Sequence, residues 1–323
     1  MTTLYRVATA YSYDSTINRL QQRGAALADL QDQLSSGKRV RRVSDDPAAA
    51  ALAEREQARM QRVQTDQRAL DASRRNLELA ESTLATVTDL YHRAKELIVQ
   101  GGNGALNDSD RRTIAQELDG IRERILALSN TQDTLGRPLF MGLGMSVVNG
   151  GRPFEDVSTG PDLETYGSDG RTVAWNGQSG QTAATETTLP SIIDGEKIFG
   201  YSVSQGDDSI WETLDRAIIA LQNPALSATD LSNELAQAHA NLTPRLDALM
   251  SARGQLGDWL NRADSMQSAM KAREDYHIQQ QSELTDLDMV EAISRFQTQQ
   301  LAYQAGLSSY AQVQRLSLFQ YLA

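Results

Sequence analysis

Two ladders of apolar residues spaced by seven constrain this chain more than any other feature. In the first half Val63, Leu70, Leu77, Leu84, Tyr91 and Ile98 fall on one line, and in the second half Leu235, Leu242, Leu249, Leu256, Ala263 and Met270 do the same. Seven residues are two helical turns, so each ladder keeps one apolar stripe facing a partner helix along its length. The ladders lie too far apart in sequence for a short loop to join them. The chain is therefore expected to run out along one long helix, build a small domain, and return along another, as a rod with both termini at one end. The outgoing helix spans about residues 47–100, with Asp46 able to cap it and Pro47 at its first position. The return helix spans about 227–284. Both exceed the usual globular length, as coiled-coil-like helices do.

Shorter amphipathic segments flank the ladders. Residues 14–36 read as a helix in which Leu20, Leu27 and Leu34 are seven apart, ended by Gly37. Its stripe is narrow and interrupted, so it is weak on its own. Asn107 or Asp108 can cap a third helix, where Ile114, Leu118, Ile121, Ile125 and Leu128 make one apolar face. Trp211, Leu214, Ile218 and Leu221 mark another, stopped at Asn223-Pro224. The last segment, 286–323, places Met289, Ile293, Phe296, Gln300, Tyr303, Leu307 and Tyr310 on one stripe, diluted by glutamines.

Helical periodicity vanishes between Gly136 and Gly206, which holds 13 of the 22 glycines and 4 of the 7 prolines. Met145–Val148, Arg171–Trp175, Ile192–Ile193 and Lys197–Phe199 read as short strands. Asn149-Gly150, Asp169-Gly170, Asn176-Gly177 and Asp194-Gly195 are turn signals between them. The expected fold class is mainly α with an inserted, turn-rich β domain. Trp175 and Tyr166 are the island's candidates for binding, set against the simpler reading of aromatic side chains in a small strand core.

Composition excludes several functions. The net charge of −11 argues against nucleic acid, because phosphate binding needs clustered Lys and Arg. There is no cysteine, which removes thiolate chemistry, disulfides and Cys-based zinc sites together. His92, His239 and His277 are isolated, with no metal-ligand spacing, so no metal or other cofactor is expected. The glycine clusters at 101–104 and 142–144 lack the Lys-Ser/Thr that phosphate loops need, and no nucleophile elbow is present, so no catalytic residue is expected. Lys38, Arg39, Arg41 and Arg42 stand beside Asp45 and Asp46, which reads as a solvated turn with local ion pairing rather than an anion site. No charge-free stretch is long enough to span a bilayer, so no membrane insertion is expected. The first residues lack the apolar run of a cleaved signal peptide.

Three segments resemble the bacterial flagellins and their hook–filament junction relatives. Leu30 to Ala53 (LQDQLSSGKRVRRVSDDPAAAALA) resembles the N-terminal signature, Arg253 to Met266 (RGQLGDWLNRADSM) the return-helix motif, and Leu284 to Ala323 the C-terminal polymerisation segment. Leu128 to Gly142 (LSNTQDTLGRPLFMG), Arg152-Pro153-Phe154, the Tyr166 to Val173 stretch and Gly195 to Phe199 are similar to the junction members rather than to filament flagellins. The opening Met-Thr-Thr-Leu-Tyr-Arg departs from the family's common Met-Arg-Ile.

The resemblance implies a structural flagellar subunit, exported unfolded by the flagellar type III route and located outside the cell at the hook–filament junction. Its implied partners are copies of itself in a ring, the other hook–filament junction protein, flagellin, and an export chaperone on the C-terminal segment. A filament-forming flagellin is the alternative. A protease-bearing flagellin lacks the HExxH it would need, and a generic coiled-coil adaptor would not explain three ordered motifs. On this reading residues 1–42 with 284–323 form a terminal assembly domain, disordered in the monomer. Residues 43–136 with 207–283 form a helical rod, and 137–206 an inserted β domain. The assembly interface is expected at Ile17, Leu20, Leu27, Leu34, Met289, Ile293, Phe296, Tyr303, Leu307 and Tyr310.

Overall fold

The computed structural model describes residues 2–144, 151–156, 173–180, 189–190, 192–199 and 209–322, with side chains described between 15 and 312. In chain order its elements are α1 (Thr2–Ser36), α2 (Pro47–Gly101), α3 (Asp108–Ser129), β1 (Phe154–Asp156), β2 (Val173–Trp175), α4 (Gly195–Phe199), α5 (Ile210–Gln222), α6 (Ala228–Thr285) and α7 (Met289–Leu322). The chain divides into two compact units, Thr65–Met270 and Met1–Gln64 with Lys271–Ala323.

In the unit Thr65–Met270 the two ladders form the core. Leu70, Leu77, Leu84, Tyr91 and Ile98 of α2 are buried, as are Leu235, Leu242, Leu249, Leu256 and Ala263 of α6, with Met270 packed against their cluster. Burying each such side chain is worth about 1.5–3 kcal/mol, so this seam dominates the unit's stability. Polar contacts along its edge fix an antiparallel register. Arg253 Nη2 lies 2.7 Å from Glu81, Arg74 reaches Asp264 at 3.1 Å, and Lys95 Nζ donates to Thr243 at 3.0 Å. Gly101, the last residue of α2, packs closely on α5, where a Cβ would stand 2.8 Å from Leu221 Cδ2.

α3 and α5 complete the bundle. Asn107 caps α3 by accepting from the Asp110 amide at 2.9 Å, and Ser209 caps α5 by accepting from Glu212 at 3.1 Å. Ile114, Leu118, Ile121 and Ile125 face inward from α3, and Trp211, Leu214, Ile218 and Leu221 from α5. Asn223-Pro224 stops α5, and Ser227 caps α6 by accepting from Asp230 at 3.1 Å. Pro244 lies inside α6 on its exposed side, where no helical hydrogen bond can come from its nitrogen.

The insertion is anchored by aromatic packing. Phe154 and Trp211 centroids are 5.0 Å apart, Phe154 and Phe199 5.2 Å, and Phe140 and Phe199 5.5 Å. β1 and β2 pair antiparallel, with Phe154 opposite Trp175. The Asn130 amide holds β1 to the end of α3, donating to Phe154 O at 2.8 Å and accepting its N–H at 3.0 Å. Gly195 is required by closeness, since a Cβ there would lie 2.4 Å from Phe140 O.

The architecture is mainly α with a small sheet in the insertion, as expected from the sequence, and several local expectations change. Lys197–Phe199 belongs to the helix α4, started by Asp194, whose carboxylate accepts from Glu196 at 3.2 Å. Ile193 is in neither strand, although its backbone bonds to Leu139 and Gly142. β1 was not expected, and β2 covers the end of the expected 171–175 strand. Met145–Val148 and Tyr166 lie outside the described residues. α1 begins at Thr2 rather than at residue 14. Its first turns hold no Gly or Pro, and their Thr, Val and Tyr content weakens the helical signal without breaking it.

One residue ties these parts together and escaped the sequence reading. The Arg122 side chain is 0% exposed, with its Nε 2.7 Å from Asp215 of α5 and its Nη1 2.9 Å from Asp156 of β1 and 2.7 Å from Glu123. Burial opposes its charge, but Asp215 and Asp156 outweigh burial and raise its pKa above the ordinary arginine value. Replacing Arg122 with methionine leaves the Asp215 carboxylate buried without its cation. The expected cost is about 3–5 kcal/mol in urea unfolding, and a loss below about 1 kcal/mol would contradict this role.

Candidate assembly interface

The unit formed by residues 1–64 with 271–323 has little core of its own. Among its described residues the buried apolar side chains are Val40, Ala49, Ala53 and Ala292, three of them alanines. The seam between α2 and α6 turns polar here: Gln64 Nε2 donates to Glu274 at 3.0 Å, and His277 Nδ1 lies 2.7 Å from Glu56.

α1 and α7 pair antiparallel through notches at glycines. Leu20 sits against Gly306, where a Cβ would come 2.9 Å from Leu20 Cδ2, and Tyr303 sits against Gly24, where a Cβ would come 3.5 Å from its ring. Arg23 Nη1 donates to Ala302 O at 2.9 Å in the same register. The stripe of α7 that faces α1 is therefore Ala292, Phe296, Gln299, Tyr303, Gly306 and Tyr310, stepping by four and three.

Of the ten expected interface residues, Leu20 reaches Gly306 and Tyr303 reaches Gly24 across this pair. Ile17, Leu27, Leu34, Phe296 and Tyr310 are half-buried. Met289, Ile293 and Leu307 are exposed, flanking the line that faces α1, and Val290 and Leu301 are exposed on the side turned from it. Of the expected single stripe on α7, Phe296, Tyr303 and Tyr310 are thus half-buried against α1, and Met289, Ile293 and Leu307 are exposed at its flank. Gly24 and Gly306 are the notches of the pair.

The two breaks in the helices lie side by side and are stitched together. α1 gives way to α2 through residues 37–46, and α6 to α7 through 286–288. Gly37 takes φ +67°, a left-handed conformation that suits glycine, and ends α1. Its carbonyl accepts from Leu287 N at 3.0 Å, while Thr285 O accepts from Arg39 N at 2.8 Å and Val40 N at 3.2 Å. Side chains reinforce the stitch. Lys38 pairs with Asp286, and Arg39 donates to Leu284 O at 2.8 Å and lies 3.2 Å from Asp46. Arg41 lies 3.1 Å from Asp32. The basic run is thus a structural turn with local pairing, as read from sequence.

Three carboxylates shape this turn. Asp45 accepts from the Arg42 and Arg41 amides at 2.9 and 3.0 Å. Asp46 caps α2 by accepting from Ala49 N at 3.0 Å. Asp288 caps α7, accepting from Val290 and Glu291 at 3.0 and 3.1 Å. The Arg42 and Arg41 amides hold Asp45 below its ordinary pKa of 3.8. The Ala49 amide and Arg39 do the same for Asp46, and Lys38 and Ser282 for Asp286.

Comparison with known proteins gives the same placement of helices at both ends. Residues 7–144 match the bacterial flagellin N-terminal helical region, and residues 240–322 match the C-terminal helical region. The chain is 31% identical over 324 residues to flagellar hook-associated protein 3 of Salmonella typhimurium, covering 98% of this chain and 99% of that protein. It is also 31% identical over 326 residues to the protein of the same name in Escherichia coli K12, with 98% and 99% covered. In fold it is similar to a putative flagellar hook-associated protein from Vibrio parahaemolyticus, at TM-score 0.60 and 19% identity, over 75% of this chain and all of that one.

The depressed carboxylates give the stitch a pH dependence with a definite sign. A folded-state pKa below the unfolded value adds stability that is complete above the unfolded value and disappears as pH falls through the folded one. The turn is therefore expected to hold at neutral pH and to loosen below 3.8. The amide protons of Arg41, Arg42 and Ala49 are expected to shift in NMR titration with midpoints under 3.8. Midpoints at or above that value would contradict the hydrogen-bonded carboxylates.

Proposed function

The chain belongs to the bacterial flagellin family, and we propose that it is a structural subunit of the flagellum that joins the hook to the filament. The observation that carries this reading is the full-length match: 31% identity runs across 98% of the chain, the middle insertion included, to proteins named hook-associated protein 3. The motif at Leu128 to Gly142 supports the junction reading over the filament flagellin. In the structure it forms the turn that carries Phe140 into the aromatic anchor.

The protein is a component of the flagellum and associates with other flagellar parts. More specifically, copies form a ring between the other junction protein and flagellin. The chain leaves the cell by the flagellar type III route without a cleaved signal, and an export chaperone holds its C-terminal segment beforehand. It has no catalytic role in this account.

Residues 1–42 with 284–323 act as the assembly domain, 43–136 with 207–283 as the helical domain that carries it, and 137–206 as the insert. The helices of the assembly domain lack order in the dilute monomer and fold when neighbours cover them, while the hydrogen-bonded turn at 37–46 and 284–288 persists. This follows from the small buried core of that unit and from the apolar side chains exposed on α7. Helices gain most of their stability from packing, and these bury little within one chain. Ile17, Leu20, Leu27, Leu34, Met289, Ile293, Phe296, Tyr303, Leu307 and Tyr310 supply the contacts, the exposed Met289, Ile293 and Leu307 to neighbouring copies.

Seeded assembly tests the reading. Purified chain is added to isolated hooks that carry the other junction protein, flagellin follows, and the hooks are viewed by electron microscopy. The expected result is a short self-limiting collar, with filaments growing only from collared hooks. Long filaments of the chain alone would make it a flagellin, and failure to bind the hook would refute the junction role.

A further inference from the structure

Three asparagines in this chain precede a glycine: Asn103, Asn149 and Asn176. Such a pair carries its own electrophile and nucleophile. The side-chain amide carbon and the next backbone nitrogen can close a cyclic imide, and glycine puts no side chain in the way. The surrounding structure decides how readily the ring closes. Asn149 lies outside the described residues. The other two are held in opposite ways.

Asn103 sits in the turn between α2 and α3, and both it and Gly104 are exposed. Its Oδ1 accepts from Ala105 N at 3.1 Å. That bond polarises Cγ and supplies a donor for the charge the oxygen gains when Cγ is attacked. The Gly104 N–H has no acceptor among the described residues, and a Cβ on Gly104 would meet nothing within 4 Å. Nδ2 of Asn103 has no acceptor among them either, so the leaving group already faces water. At Asn176 each of these conditions is reversed. Its Nδ2 donates to Arg152 O at 3.2 Å and lies 3.4 Å from Glu155. Its backbone nitrogen donates to Pro153 O at 2.8 Å. The Trp175 ring crowds Gly177, where a Cβ would lie 2.4 Å from Trp175 Cε2.

We propose that Asn103 is a self-modification site, which converts in water to aspartate and isoaspartate. The Gly104 nitrogen loses its proton to solvent base and bonds to Cγ of Asn103. The Cγ–Nδ2 bond breaks, and Nδ2 leaves as ammonia. Water then opens the imide at either carbonyl, with no oxidation or reduction. Opening at Cγ leaves aspartate in an unchanged main chain. Opening at the backbone carbonyl carbon leaves isoaspartate, with the main chain running through the former side chain. The carbonyl that now accepts from Leu106 N at 3.1 Å then leaves the main chain as a carboxylate. Leu106 packs against the core cluster, so the isoaspartyl form loosens the start of α3 from it. A subunit built into a structure outside the cell keeps such a change for as long as that structure lasts. This last consequence rests on the flagellar reading, and the chemistry does not.

Timed mass spectrometry tests the proposal. The full chain is kept in mildly alkaline buffer, digested with trypsin, and read at Asn103 in the peptide 96–111 and at Asn176. In the folded chain Asn103 is expected to convert about tenfold faster than Asn176. In urea, where only the shared Asn-Gly sequence remains, the two rates are expected to converge. Asn103 converting no faster than Asn176 in the folded chain would overturn the proposal. A gap that persists unchanged in urea would overturn the structural cause. The products at Asn103 are expected to include isoaspartate, and aspartate alone would contradict the imide. Gly104→Ala, which the open space there admits, is expected to slow conversion at Asn103 and leave Asn176 unchanged. An unchanged rate at Asn103 would also count against attack by the Gly104 nitrogen. None of these outcomes bears on the junction reading, which seeded assembly tests separately.

Discussion

A heptad ladder is an open bond until another ladder closes it. Between Thr65 and Met270 the chain closes its own. Leu70 through Ile98 on α2 meet Leu235 through Ala263 on α6, with α3 and α5 sealing the sides. The remaining features of that unit depend on this seam. α3 and α5 can bury Ile114 to Ile125 and Trp211 to Leu221 only against an existing apolar surface. The insertion in turn is held by what α3 and α5 present: Asn130, Trp211 and the buried Arg122–Asp215 pair. Arg122 is costly to bury and is retained at the one point where α3, α5 and β1 meet, which suits a residue that fixes one arrangement among several apolar ones.

The other unit shows the same helical design with the core withheld. Alanines replace leucines at its few buried positions, glycines notch the α1–α7 pair, and the α2–α6 seam turns to Glu56, Gln64, Glu274 and His277. Its best-defined feature is polar, the stitch between residues 37–40 and 284–287. That stitch brings both helix breaks to one place without demanding that α1 and α7 be stable alone. An apolar core would hold these helices in one packing. A hydrogen-bonded turn sets their starting point and leaves Met289, Val290, Ile293, Leu301 and Leu307 exposed. A junction subunit, which contacts different lattices on its two sides, requires such latitude.

Much of this was legible in the sequence because helices advertise themselves by period. The ladders gave α2 and α6 nearly to the residue, and Asp46, Asn107 and Asn223-Pro224 marked true boundaries. The insertion was less legible for a physical reason. Its strands are three residues long, too short for alternation to register, and its order comes from aromatic clustering and close backbone approach at Gly195. Lys197–Phe199 looked like a strand because three residues cannot distinguish periods, and Asp194 settled the matter as a cap. Arg122 was invisible, since nothing local separates a buried arginine in an amphipathic helix from an exposed one. At the candidate interface the residues were found but their grouping was not. The missing side chains of Gly24 and Gly306, which no apolar pattern counts, are what admit Tyr303 and Leu20.

The account's central claim is that α1 and α7 acquire their core from neighbouring copies. Hydrogen–deuterium exchange on the dilute monomer and on assembled collars tests it most directly. The account predicts fast exchange across residues 2–36 and 289–322 in the monomer, against strong protection of the α2 and α6 ladders between 65 and 270. Protection of the terminal helices is then expected to rise on assembly. Terminal helices as well protected in the monomer as in the collar would contradict it.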